Sequence, residues 1–134
     1  MAEDKITETA KDLFTNDPEE TIIEQLPRMD GWFDVTGGQI QFLFDIEDLT
    51  KGESYLAYLT AAFVAHLAEE RESAYVPHSE VNNYLGWKED DGGSAKHYAS
   101  EYSPLLNTDS GEKSIAAHRL REIIDIIERG FEND

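Results

Sequence analysis

The four histidines, His66, His78, His97 and His118, have the widest chemical range in this chain, and none has a partner at paired metal-ligand spacing. No HExxH places two imidazoles on one helix face. The absence of cysteine removes thiolate metal sites, disulfides and a cysteine nucleophile. No GxSxG turn presents a serine for acyl transfer. Glu89-Asp90-Asp91-Gly92 and Asp109-Ser110-Gly111 suggest calcium, but neither has the alternating carboxylates that an EF-hand loop needs before its glycine. Carboxylates are so abundant that nothing selects one pair for acid–base work. The chemistry left is contact with an anion. Lys96 and His97, flanked by Ser94 and Ser100, and the later cations Lys113, Arg119 and Arg121 are the candidates. The reading is a non-enzymatic protein with no cofactor and no metal.

Those cations stand out because the rest of the chain is so acidic. Of 134 residues, 29 are Asp or Glu and 11 are Lys or Arg, a net charge of −18. A small domain is comfortable at a magnitude of about 2–8. In dilute buffer this surface repels itself, and it repels phosphate backbones and anionic membranes as well. In molar salt the Debye length falls to about 3 Å and the repulsion largely disappears. The acids are spread over the whole chain, never more than three in a row, and lysine is scarce. This distribution resembles that of proteins from halophilic archaea. Mimicry of nucleic acid is the competing explanation. From Gly93 to Arg121 the balance turns, with four basic residues against three acidic ones. Local relief of that kind is what a nucleic-acid surface requires.

The elements that must position these residues follow from patterning. The chain is read as one domain, 1–134, with an N-terminal part over 1–72 and a second part over 73–134. Residues 3–14 form a short amphipathic helix. Asp17-Pro18-Glu19-Glu20 starts a second, which Pro27 stops. Trp32 to Thr36 and Gln39 to Ile46 flank Gly37-Gly38 as a hairpin, with Val35 opposite Ile40 and Phe33 opposite Phe42. Glu53 to Glu72 is a helix apolar on almost every side, either the centre of the domain or half of a subunit interface. Ser79 caps a short helix that Gly86 ends. After a polar link over 88–93, Ser94 caps a helix from about Ala95 to Tyr102. The last helix runs to about Arg129, with Gly130 as its C′ residue. No stretch is long and apolar enough to span a bilayer, which needs about 20 residues. The basic, apolar start of a signal peptide is also missing, so a cytoplasmic location is expected.

From Val76 to Leu120 the order is a capped helix ending in Leu85-Gly86, a link, a helix bearing Lys96 and His97, then Leu105-Leu106, a turn at Gly111 and a return through Ile115. This resembles a winged helix-turn-helix, in which the first helix braces the second in the major groove. The link between Gly86 and Ser94 is longer and more acidic than the three or four residues usual there. The resemblance implies a mostly α (α+β) fold with a wing and double-stranded DNA as partner. Ser94, Lys96, His97 and Ser100 would then approach bases, and Lys113, Arg119 and Arg121 would hold phosphates. A homodimer through helix 53–72 and the final helix is expected. The alternative is a protein–protein adaptor of the same fold.

Overall fold

A computed structural model describes residues 18–36, 39–87 and 95–132. Helix 3–14, the Gly37-Gly38 turn, the link over 88–93 and the Ser94 cap lie outside them. The described fold is mostly helical with two small antiparallel sheets, an α+β arrangement.

Helix α1, Pro18–Gln25, ends as an α-helix just ahead of Pro27. It tightens into a 3-10 turn over Leu26–Met29, where a proline early in the turn loses no needed donor. Arg28 in that turn donates to Asp125 and Glu128 at 2.7 Å each and to Gln25 at 2.6 Å. Strands β1, Phe33–Thr36, and β2, Gln39–Phe42, pair in the register that apolar alternation requires, Phe33 opposite Phe42 and Val35 opposite Ile40.

Helix α2, Lys51–Leu67, begins two residues earlier than its apolar run because of a capping box. Thr50 accepts from the Glu53 N–H at 3.2 Å, and Glu53 accepts from the Thr50 N–H at 2.8 Å. It ends five residues earlier than expected, where Glu69 turns into the left-handed region at φ 62°. Every residue from Ser54 to Phe63 is buried within the single chain. A second copy is therefore not needed to cover this helix, and its place in a subunit interface loses its physical reason.

The strand Glu112–Ile115 and α5, Leu120–Glu132, together cover much of α2, the helix through Leu120, Ile123, Ile124 and Ile127, all fully buried. Each such side chain contributes roughly 1.5–3 kcal/mol relative to exposure. Gly130 does not terminate this helix. It is buried inside it, because a Cβ there would lie 2.7 Å from Glu53 Oε1 and 2.8 Å from Leu49 Cδ2. Past it, Phe131 meets Trp32 and Phe44 edge-on at 5.3 and 4.8 Å, fastening the first hairpin to the end of the chain.

The remaining elements are α3, His78–Leu85; α4, Ala95–Glu101; and the hairpin of β3, Leu106–Asp109, with β4, Glu112–Ile115. No described helix is long and apolar enough to cross a membrane.

Candidate nucleic-acid interface

Side-chain hydrogen bonds of Arg71, His66 and Ser73 hold the segment between α2 and α3. Arg71 reaches Glu80 with two nitrogens, at 2.7 and 2.9 Å, and donates to the carbonyls of Ser73 and Tyr75. Tyr58 on α2 donates to the same carboxylate at 2.6 Å. These bonds hold the Glu80 carboxyl below the usual glutamate range, although burial pushes the other way. Burial first, then the Glu80 contact, pushes the Tyr58 hydroxyl up. The loop is thus fixed as it leaves α2, and Val76 meets the second hairpin in register. Its N–H and C=O pair with Lys113 at 2.7 and 3.1 Å. The loop before α3 and the last strand of the hairpin become one small ladder.

Helix α3 starts at His78, not after Ser79. Pro77, with φ already fixed near the required value, occupies the N-cap position without a side-chain cap. Gly86 ends it at φ 71°, as its lack of a Cβ allows. One turn on from His78, the buried Asn82 side chain accepts from the Ala95 N–H at 2.9 Å. That bond joins α3 to the first residue of α4. Helix α4 turns Ala95, Ala99 and Tyr98 inward, with Tyr98 against Trp87 at 5.6 Å and Tyr55 at 6.4 Å. Lys96, His97 and Ser100 are exposed on its other side.

The proposed site residues divide accordingly. Lys96, His97 and Ser100 share the outer face of α4, and His97 Nε2 lies 3.9 Å from Glu101. Lys113 is half-buried on β4, and its Nζ donates to Thr108 across the hairpin at 2.7 Å. Ser94 lies outside the described residues. Arg119 and Arg121 lie on the turn Ala117–Arg119 and on α5, whose main neighbours are α1 and α2 and not α3 or α4. Arg119 is also taken up by Glu122 at 2.7 Å, while Arg121 is exposed. Lys96 stands on α4 and Lys113 on the second hairpin, whereas Arg119 and Arg121 pack with a different part of the fold.

His78 lies near two junctions of the fold, Val76 with Lys113 and Asn82 with Ala95, and nothing in the sequence singles it out. His78 stands two residues after Val76, which pairs with Lys113, and one helical turn before Asn82, which holds Ala95 beside Lys96. It is half-buried, and its Nδ1 is enclosed without a hydrogen-bond partner. Burial, then the charges of Lys113 and Lys96, hold the imidazole below the ordinary histidine range. The usable signal was the buried asparagine in mid-helix, since a polar group there demands a partner.

The surface also carries apolar side chains away from this junction. Ile23 is 66% exposed and Leu43 is 58% exposed. An open groove of about 490 Å³ runs between Leu26, Pro27, Met29, Phe33 and Val64. Comparison with protein-family models, with curated proteins and with solved structures gives no match to this chain.

Proposed function

We propose that the chain is a DNA-binding transcriptional regulator of the winged helix-turn-helix kind, non-enzymatic, working in the cytoplasm of an organism with molar internal salt. The observation that carries this reading is the pairing of Val76 with Lys113. It links a strand residue ahead of α3 to the hairpin that follows α4. The order becomes helix, strand, helix, helix, then two strands, with the hairpin bridged to the residue that leads into the first helix of the pair. In that arrangement α3 braces α4, α4 enters the major groove, and β3–β4 is the wing. Lys96, His97 and Ser100 on the outer face of α4 would read base edges, and Lys113 would hold a phosphate. No cofactor is required. Two copies reading paired half-sites would give the specificity that one seven-residue helix lacks.

The test is selection of duplexes from a genomic fragment library in molar KCl. Enrichment of a common sequence supports the reading, and unbiased recovery contradicts it. A protein–protein adaptor is the second reading, favoured by the exposed Ile23 and the neighbouring apolar groove. Those same features are where a second copy would dock if the regulator is a homodimer.

A further inference from the structure

We propose that residues 3–14 of this chain fold back as a helix onto the apolar groove between Leu26, Phe33 and Val64 and close it from within the same molecule. This goes beyond the DNA-binding reading and does not depend on it.

The groove continues an apolar stripe that α1 leaves uncovered. Helix α1 and its 3-10 turn direct Ile22, Gln25 and Met29 toward the body of the fold. One residue further round, Ile23 and Leu26 form a second stripe, and both are exposed. Leu26 lines the groove with Pro27, Met29, Phe33 and Val64. Leu67, one turn beyond Val64 on α2, is exposed as well. A contiguous apolar surface of this kind calls for an occupant.

The sequence leading into α1 matches it. Residues 3–14 lie outside the described residues, and their pattern puts Ile6, Ala10, Leu13 and Phe14 on one side of a helix. At about 100° per residue, Asp4, Glu8 and Asp12 fall on the opposite side, with Lys5 and Lys11 on the flanks. Docked by its apolar side, the segment turns those three acids away from Glu24 on α1 and Asp30 on the groove wall, both exposed. It also brings two of the chain's six lysines toward that acidic rim.

The lengths agree. Thr15-Asn16-Asp17 is a connection of the size that joins antiparallel helices, about 2–5 residues. A helix over 3–14 would measure about 18 Å, and α1 with its 3-10 turn measures about 20 Å. Running antiparallel from that connection, the segment sets Ala10 level with Ile22 and Ile23, where a small side chain lets two helices approach. Ile6 comes level with Leu26, at the groove itself.

A second copy competes for the same surface. It would bring a net charge of −18 against another −18, whereas an attached segment is present at a millimolar effective concentration. A partner or a second copy therefore reaches the groove only by displacing residues 3–14.

Because the chain has no cysteine, one introduced thiol takes a spin label at a single place. The test is a nitroxide on Glu8→Cys, on the outer side of the segment, read by methyl NMR of the full chain in molar KCl. A helix is about 10–12 Å across, so a docked segment holds the groove within the label's reach. The methyl signals of Ile23, Leu26, Val64 and Leu67 should lose intensity relative to the reduced label. Ile6→Asp, which alters the segment, and Leu26→Gln, which alters the groove, should each restore the remaining signals. Unchanged shifts of the buried Ile123 and Ile127 methyls show that the core is intact in both variants. Nitroxide-bearing chain mixed with isotope-labelled chain that lacks the nitroxide should cause no loss.

Signals untouched by the label overturn the proposal. Loss that survives both substitutions is nearness through the connection alone and overturns it too. Loss seen only between chains makes a second copy the occupant instead. Each of these failures leaves the DNA-binding reading standing, since that is decided by duplex selection.

Discussion

The buried side chain of Asn82 accepts a hydrogen bond from the backbone N–H of Ala95 at 2.9 Å, and this bond sets the approach of α4 to α3. It joins two elements through residues that lie thirteen apart in sequence. Removing it leaves a buried N–H without an acceptor.

Asn82→Ala should therefore destabilise the fold by about 1–3 kcal/mol, the cost of a buried unsatisfied donor. Urea unfolding followed by circular dichroism measures this. A midpoint unchanged from wild type would show that the joint carries no weight.

The Arg71–Glu80–Tyr58 cluster makes a pH prediction. Glu80 titrates lower in the folded chain than in the unfolded one, so its stabilisation is complete above the unfolded value, about 4.3. It is lost as pH falls through the lower folded value. Because the Glu80 side chain is 32% exposed, solvent screening limits the effect to about 1–2 kcal/mol. The stability gap between wild type and Glu80→Gln should be constant from pH 7 to 5 and close below pH 4. A gap that persists at pH 3 would mean that packing, not charge, holds α3 in place.

At Gly130 helix propensity and space oppose each other. Alanine gains about 1 kcal/mol in helix propensity over glycine, but its Cβ would meet Glu53 and Leu49 at 2.7–2.8 Å. Overpacking costs about 1–3 kcal/mol, and Glu53 cannot retreat without opening the α2 capping box. Gly130→Ala should lower the melting temperature. A rise would show that Glu53 moves freely.

This glycine also shows where the sequence could be read and where it could not. Short-range patterns were legible: the alternation that sets Phe33 opposite Phe42, the glycine that ends α3 at Gly86, and the isoleucine face of α5. Positions decided by a distant neighbour were not. Gly130 looked like a helix end because nothing nearby in sequence announces Glu53 and Leu49 above it. The apolar run around α2 looked like an interface because its coverage comes from a strand and a helix more than forty residues later. The same limit applied to the site. The pairings of Val76 with Lys113 and of Asn82 with Ala95 could not be picked out, but Lys96 and Lys113 could, as cations in an acidic chain. Arg119 and Arg121 were grouped with them by closeness in sequence, whereas the fold packs their segment against α1 and α2.

Salt should stabilise this protein. Raising KCl from dilute to molar screens self-repulsion among the excess acids while leaving apolar burial intact. The melting temperature should climb over that range. A flat or falling curve would remove the adaptation to brine and leave the charge of −18 to be explained by a basic partner.

The outer face of α4 is tested most directly by charge reversal at Lys96, compared with reversal at an exposed lysine elsewhere. Arg28 is unsuitable for the comparison, because Arg28→Glu would oppose Asp125 and Glu128 and damage the fold. Lys51, exposed at the start of α2, serves instead. With duplex selected by the wild-type chain, in molar KCl, Lys96→Glu should abolish sequence-specific binding and Lys51→Glu should leave it nearly unchanged. Equal losses from the two variants, or no sequence preference in the wild type, would contradict a role for α4 in reading DNA.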